Sequence, residues 1–311
     1  MLYSPEPLHI PDGFLSFTVS ILCWVISAIT ISVAVSRSNK SLGERQIPLM
    51  GLMAAFIFAA QMINFPVAGG TSGHLLGGAL AAITLGPWAG MLVMTAVIAV
   101  QALLFQDGGL LVMGANILNM GLITVAIGYG LYRGVSNANR TLKLTVAGIA
   151  AWLSVMAGAL FTSLQLWLSG TSQLQIVIPA MLTVHALIGV GEALITVAAL
   201  TFILQTRPDL LGSTSESARG SRGWIVAGAL ISLAVVLLSP LASADPDGLE
   251  RVAGDLGFLS KGASAPYQLI PDYTLPFLET TSLSTVFAGL IGVVVVGAII
   301  VLLGQGMKAK S

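Results

Sequence analysis

The chain contains only three histidines, and their surroundings are the first indication of chemistry. His9 opens the sequence H-I-P-D-G-F-L-S, and His74 lies in the glycine-rich sequence G-G-T-S-G-H-L-L-G-G. His185 lies inside a long apolar segment. Imidazole is a good ligand for nickel, cobalt, copper and zinc. The pattern therefore predicts a transition-metal site; the alternative is three separate histidines, each hydrogen-bonded at a helix end.

The glycine-rich segment 69–78 predicts irregular backbone at membrane depth. Such backbone is tolerated there only where it is buried in protein or lines a cavity. Glycine also lets the backbone approach a ligand closely. We expect the segment to present His74 to a cavity, with Thr71 and Ser72 as candidate neighbours of the metal ligands. The alternative is a re-entrant loop that serves packing only.

Other polar side chains inside or beside apolar segments are candidate supports for the ligands. Asn116 and Asn119 are three residues apart and share a helix face, so they either support the site or join two helices. Glu192 follows His185 by seven residues and lies near the same face. An ionisable group inside a membrane is a functional hypothesis by default, although a buried structural hydrogen bond explains it equally well. Asp107 is a candidate support or a solvated turn residue.

The elements that position these residues follow from composition. The 311 residues are 56% hydrophobic and 8% charged, with 13 Lys+Arg against 13 Asp+Glu. These values exclude a soluble enzyme and a disordered tail, and there is no basic surplus for nucleic acid. In lipid, the backbone N–H and C=O groups of a long apolar run are hydrogen-bonded only when the run forms a helix. The sequence therefore predicts an all-α polytopic membrane protein embedded in the lipid bilayer.

Nine apolar segments and the positions of the basic residues predict the topology. The segments are 14–36, 47–63, 74–86, 88–105, 113–133, 144–169, 177–204, 224–241 and 284–305. The third is short, and a tight turn is expected at Gly86-Pro87 because proline cannot continue a helix. Basic residues that mark the cytoplasmic side are Arg37, Lys40, Arg45, Arg133, Arg140, Lys143, Arg207, Arg219, Arg222, Lys308 and Lys310. Nine crossings, with the N-terminus outside and the C-terminus inside, place all of them on one side.

The chain divides into about seven spans and a further two. A polar segment, 206–223, reads as the cytoplasmic linker between the two units. The outer loop, 242–283, carries six acidic residues against Arg251 and Lys261, a charge of −6 + 2 = −4. Such a loop is expected to attract cations over short distances in salt.

The motifs resemble those of the CbiM/NikM family, the substrate-binding membrane components of energy-coupling factor transporters for cobalt and nickel. The resemblance is carried by the His9 and His74 motifs, by residues 107–121 and by residues 185–196, and it covers 8–205. The tail, 224–311, with Pro246-Asp247-Gly248-Leu249-Glu250, is similar to the PDGLE domain that is often fused to these components.

The resemblance implies a particular metal site. In the family the mature chain begins Met-His, and its terminal amine, first amide nitrogen and imidazole chelate one ion. The histidine of the glycine-rich loop, here His74, completes four nitrogens around Co(II) or Ni(II), which is substrate and not cofactor. The resemblance also implies separate ATPase subunits, a coupling membrane subunit of the CbiQ or NikQ kind, and location in the inner, cytoplasmic membrane.

This sequence departs from the family pattern because residues 1–7 precede Leu8. Initiation at a UUG codon, which an over-long gene model translates as Leu8, would restore Met-His; proteolytic removal of residues 1–7 would have a similar effect. We therefore expect Leu8 to be the true N-terminal residue and its amine to be a ligand. If the extension is retained, the site must recruit another ligand such as Asp12 or His185.

Two alternatives belong to other classes of protein. No G-x-x-x-x-G-K-[ST] and no H-E-x-x-H sequence occurs in the chain. An intramembrane enzyme that uses His185 and Glu192 as acid and base would therefore lack a nucleophile or a metal-protease motif. A metal-independent transporter of small solutes with similar architecture is the other alternative.

Overall fold

The computed structural model describes residues 9–40, 43, 46–206, 223–278 and 281–308. The predicted extension 1–7, the ligand Leu8 and nearly all of the linker lie outside the described residues. The helices are α1 (Phe17–Asn39), α2 (Gln46–Gln61), α3 (Gly78–Leu85), α4 (Pro87–Val100), α5 (Met113–Asn116), α6 (Thr124–Tyr132), α7 (Arg140–Leu168), α8 (Leu174–Thr206), α9 (Gly223–Leu238), α10 (Gly248–Asp255) and α11 (Ser282–Lys308). Two antiparallel strands, β1 (Phe65–Val67) and β2 (Thr71–Gly73), form a hairpin.

Two stretches of π-helix adjoin these helices. Gln101–Phe105 continues α4, and Ile117–Ile123 joins α5 to α6. With them, seven helical segments of the described chain are long and apolar enough to cross a membrane. The prediction of an all-α polytopic membrane protein is confirmed.

Two of the nine predicted crossings are shorter than a membrane-spanning helix. α2 has 16 residues and α3 has eight, so α3 is about 12 Å long against a hydrocarbon core of ~30 Å. The expected turn lies between α3 and α4, where Gly86 has a φ of 81° and Pro87 begins the next helix. Because α3 cannot cross the core by itself, the nine crossings and the orientation stay predictions.

The C-terminal helices pack on the N-terminal unit instead of standing apart from it. α11 lies along α2, and α9 contacts the same helix. The approach is close at Gly292, where a Cβ atom would lie 2.0 Å from the ring of Phe58. This packing holds the outer loop over the N-terminal unit.

The outer loop has a defined structure that begins with the P-D-G-L-E sequence. The Asp247 side chain accepts a hydrogen bond from the Glu250 N–H (2.7 Å), and the Glu250 side chain accepts one from the Asp247 N–H (3.3 Å). This reciprocal pair is a capping box, which satisfies backbone donors at the start of α10. The motif is therefore a helix-start signal, and it fixes where the loop turns over the neighbouring unit.

Candidate metal centre

The three histidines line one small cavity beneath the outer loop. Its volume is about 70 Å³, room for a few water molecules but well below the ~300–1,000 Å³ of an organic-ligand pocket. Its polar lining includes His9, His74, Asn116, Asn119, His185 and Asp247. The structure thus brings together residues that are far apart in the sequence.

His9 is held by α5 and by the segment that precedes it. Its Nδ1 lies 3.1 Å from the carbonyl oxygen of Asp107. The Asn116 side chain accepts a hydrogen bond from the Ile10 N–H (3.1 Å) and donates one to the Ile10 carbonyl (3.0 Å). Because both backbone groups of Ile10 are fixed, the position of the adjacent histidine is fixed as well.

Asp12 anchors the same segment and does not line the cavity. Its carboxylate accepts hydrogen bonds from the backbone N–H groups of Leu110 (3.0 Å) and Val112 (3.1 Å). Its backbone carbonyl accepts a hydrogen bond from the Ala263 N–H in the outer loop (2.7 Å). The predicted alternative ligand is therefore a residue that ties the N-terminal segment to two other segments.

His74 follows the β-hairpin, so the glycine-rich segment is more ordered than the irregular backbone predicted from sequence. The His74 Nδ1 lies 3.0 Å from the Leu75 carbonyl. Glu192 in α8 accepts hydrogen bonds from the N–H groups of Leu76 (2.6 Å) and Gly77 (2.9 Å). Glu192 therefore holds the backbone that carries His74, and it is fully buried. Its carboxylate oxygens are thus engaged in structural hydrogen bonds, as the sequence alternative proposed.

His185 lies on the other side of the cavity, under the start of α10. Its Nδ1 lies 2.8 Å from the Met181 carbonyl, one helical turn earlier. A Cβ atom on Gly248 would lie 2.9 Å from the ring of His185. Because the loop backbone lies directly on the imidazole, a residue larger than glycine would not fit here.

All three rings have the same nitrogen directed at a backbone carbonyl. Each Nδ1 faces a backbone carbonyl, which only accepts, so in the neutral ring the hydrogen is on Nδ1 and the lone pair on Nε2. Among the described residues, the buried Nε2 of His9 has no hydrogen-bond partner. The rings of His9 and His74 have centroids 5.5 Å apart. Two imidazoles bound to one ion at about 2.0–2.1 Å place their centroids no more than about 6 Å apart.

Side chains alone do not complete a site in this part of the chain. The described residues contain no group of three or more His, Cys, Asp or Glu side chains that could hold a metal ion. A site built on His9 and His74 therefore needs further ligands, such as the backbone nitrogens of residues 8 and 9 that the family resemblance implies.

Of the remaining residues that were predicted to lie near the metal ligands, some line the cavity and others contact the outer loop. Asn119 lines the cavity and forms a reciprocal amide pair with Gln165 in α7, with both distances 2.8 Å. It therefore serves both alternatives, a lining residue and a link between helices. Ser72 instead holds the outer loop, because it donates to the carbonyls of Pro246 (2.8 Å) and Asp245 (2.7 Å). Thr71 is buried in the hairpin beside it.

Sequence reasoning missed the contribution of the outer loop to this centre. Asp247 lines the cavity, and burial raises the pKa of its carboxyl to about 8. Arg251 pairs with Asp255 at 2.9 Å. A neutral Asp247 lowers the negative charge of the loop by one from the −4 expected from sequence, in which Arg251 and Asp255 already cancel. The motif that contains Asp247 was visible, but its contact with the histidines depends on how the loop folds back.

Comparison with known proteins gives two family matches and several relatives. A family model for the cobalt uptake substrate-specific transmembrane region, CbiM, matches residues 9–210, and one for the PDGLE domain matches 222–309. A putative fused nickel transport protein NikMN from Archaeoglobus fulgidus is 36% identical, with 94% of this chain and 96% of the relative aligned. The fused nickel transport protein NikMN of Rhodobacter capsulatus is 29% identical, with 97% of each chain aligned.

A solved structure shares the fold of about two thirds of this chain. A crystal structure of a transition metal transporter matches with a TM-score of 0.59 at 34% identity, and the match covers 68% of this chain and 100% of the other. The fold and the matches define a multi-pass membrane protein of transition-metal uptake, a transporter component and not an enzyme. The chain belongs to the CbiM family and carries a PDGLE domain at its C-terminal end. The resemblance found in the motifs is confirmed.

Proposed function

We propose that this chain is the substrate-binding component of an ATP-driven energy-coupling factor importer and captures Ni(II) or Co(II) at the outer side of the cytoplasmic membrane. The observation that carries the proposal is the small buried cavity in which the rings of His9 and His74 lie 5.5 Å apart. Nickel is the preferred substrate, because the NikMN relatives from Archaeoglobus fulgidus and Rhodobacter capsulatus, which align with nearly the whole chain, carry the names of putative and assigned nickel transport proteins.

The proposed ligands are the amine of Leu8, the amide nitrogen and imidazole of His9, and the imidazole of His74. Deprotonated amide nitrogen favours square-planar geometry, which suits Ni(II). A six-membered chelate ring through the amide closes only on Nδ1 of His9, whereas here Nδ1 faces Asp107. Loading therefore includes rotation of the His9 ring about its Cβ–Cγ bond. The ring hydrogen must also pass from Nδ1 to Nε2. After both changes the Cδ2–Nε2 edge of the ring faces Asp107, which can then serve as an outer partner of the kind that metal-bound histidines usually have.

ATP hydrolysis belongs to separate subunits in this proposal. The sequence has no P-loop motif, so the energy comes from ATPase partners through a coupling membrane subunit. The alternative of a metal-independent solute transporter is disfavoured by volume, because about 70 Å³ is too small for a typical organic substrate at ~300–1,000 Å³.

Metal binding by the purified protein tests the proposal directly. We expect one nickel or cobalt ion per chain, with affinity falling as the pH is lowered, because protons compete for the ligand nitrogens. Elemental analysis after dialysis gives the stoichiometry, and titration at several pH values gives the affinity. Magnesium at the same concentration is the control ion. Protein that retains neither transition metal would exclude the function.

The N-terminus of the mature protein is a separate prediction. We expect N-terminal sequencing and intact mass to show a chain that starts at residue 8, because only then can an amine chelate together with His9. In a control protein, a strong start codon at Met1 makes translation begin there, so that residues 1–7 are present. This extended chain should bind nickel more weakly. Equal affinity of the extended chain would remove the amine from the ligand set.

A further inference from the structure

Tyr273 connects the C-terminal domain to the candidate metal centre. It lies in the short helix Pro271–Tyr273 of the outer loop, and its ring stacks on Phe105, with centroids 4.8 Å apart and an interplanar angle of 21°. Its hydroxyl donates to Oδ2 of Asp107 at 2.6 Å and accepts a hydrogen bond from Gln101 Nε2 at 3.1 Å. Burial and the nearby Asp107 raise the pKa of Tyr273 well above its usual value, so the phenol remains a donor.

Asp107 in turn faces His9 with two groups. Its backbone carbonyl lies 3.1 Å from the His9 Nδ1, and its carboxylate Oδ1 lies 3.7 Å from the same atom. Within the described part of the chain, this buried Oδ1 has no hydrogen-bond partner. One carboxylate oxygen is therefore fixed by the phenol while the other is directed at the imidazole.

The geometry has a consequence for the orientation of the imidazole. A hydrogen bond from a phenol to a carboxylate at 2.6 Å is of the short, strong class. Without it, the carboxylate of Asp107 can rotate about its own side-chain bonds, and the group facing the His9 ring is no longer fixed. Partners of this kind orient metal-bound histidines and increase their basicity, and their loss typically weakens metal binding about 10–100-fold.

We propose that Tyr273 is a positioning residue of the metal centre, acting on His9 through Asp107. The C-terminal domain then supplies part of the support for the ligands and does more than cover the cavity. This inference rests on the proposed function, since it concerns the same site.

The test is the affinity and visible absorption spectrum of bound nickel in the full chain with Tyr273→Phe. Phenylalanine keeps the ring stacking on Phe105 and removes only the hydroxyl. We expect an affinity loss of about 10–100-fold and an altered d–d absorption band, because the imidazole is part of the ligand field. A general packing defect would lower the thermal transition without changing the spectrum of the metal that remains bound.

Tyr267→Phe is the matched control, since its hydroxyl donates to the Leu103 carbonyl at 2.9 Å in the same loop. We expect this variant to bind nickel like the unmodified chain. In a double-mutant cycle, adding Tyr273→Phe to Asp107→Ala should have no further effect on affinity, because the tyrosine then has no carboxylate to hold.

Three results would overturn the inference. An unmodified chain that binds neither nickel nor cobalt removes the proposed function and this inference with it. An unmodified chain that binds metal, together with unchanged affinity and spectrum in Tyr273→Phe, removes this inference alone. An equal loss from Tyr273→Phe in the presence and absence of the Asp107 carboxylate would show that the tyrosine does not act through Asp107.

Discussion

Replacement of His74 by alanine is expected to weaken nickel or cobalt binding by more than 100-fold and to abolish uptake. Loss of a residue that merely supports a ligand already costs about 10–100-fold, so loss of a ligand costs more. Thermal unfolding of the variant shows whether the fold survives the substitution. Titration of purified protein measures the affinity, and uptake is measured in cells that express the coupling and ATPase partners.

His185→Gln is the matched control for this experiment. His185 lines the same cavity, but the proposed ligand set does not include it. Glutamine retains a donor for the Met181 carbonyl, so a small change in affinity is expected. Retained uptake in His74→Ala would reject the site. A loss confined to His185→Gln would move the ion to the α8 side of the cavity, away from the proposed ligands.

Replacement of Glu192 by alanine is expected to destabilise the protein and to weaken metal binding together. The substitution leaves the buried N–H groups of Leu76 and Gly77 without their acceptor, at a cost of about 1–3 kcal/mol for each. The backbone beside His74 then relaxes, and the affinity should fall about 10–100-fold, as for other groups that support ligands. Thermal unfolding in detergent and nickel titration measure the two effects.

Two further variants test whether Glu192 acts by holding the backbone beside His74. Glu192→Gln keeps one acceptor oxygen and should lie between the unmodified protein and Glu192→Ala in both measurements. Thr196→Val is the matched control, because Thr196 is one helical turn away and its buried hydroxyl has no partner among the described residues. A metal affinity unchanged in Glu192→Ala would show that this carboxylate does not position His74.

The prediction from sequence succeeded where the signal is local along the chain. The apolar runs predicted the long helices, because in lipid the backbone N–H and C=O groups of such a run must hydrogen-bond to each other. The motifs around His9 and His74 identified the family and drew attention to the residues that line the cavity. The turn at Gly86-Pro87 was also predictable, since proline ends a helix by its own chemistry.

The same local signals were incomplete at three places. The segment before His74 forms a hairpin with Phe65–Val67, a pairing that no periodicity in so short a stretch could indicate. The π-helical stretches Gln101–Phe105 and Ile117–Ile123 read as ordinary parts of spans, because their composition is equally apolar. The role of Glu192 stayed open, since a buried carboxylate has the same sequence signature whether it moves protons or holds two N–H groups.

The sequence by itself determined the class of protein, the helices and the residues capable of binding a metal. Only the tertiary structure decided that the outer loop completes the surroundings of those residues. Asp247 reaches the cavity and Tyr273 reaches Asp107, although 166 positions separate the latter two along the chain. Contacts at such separation depend on how α9 and α11 pack against α2, and that packing is set by the shapes of many side chains together. No single motif encodes it.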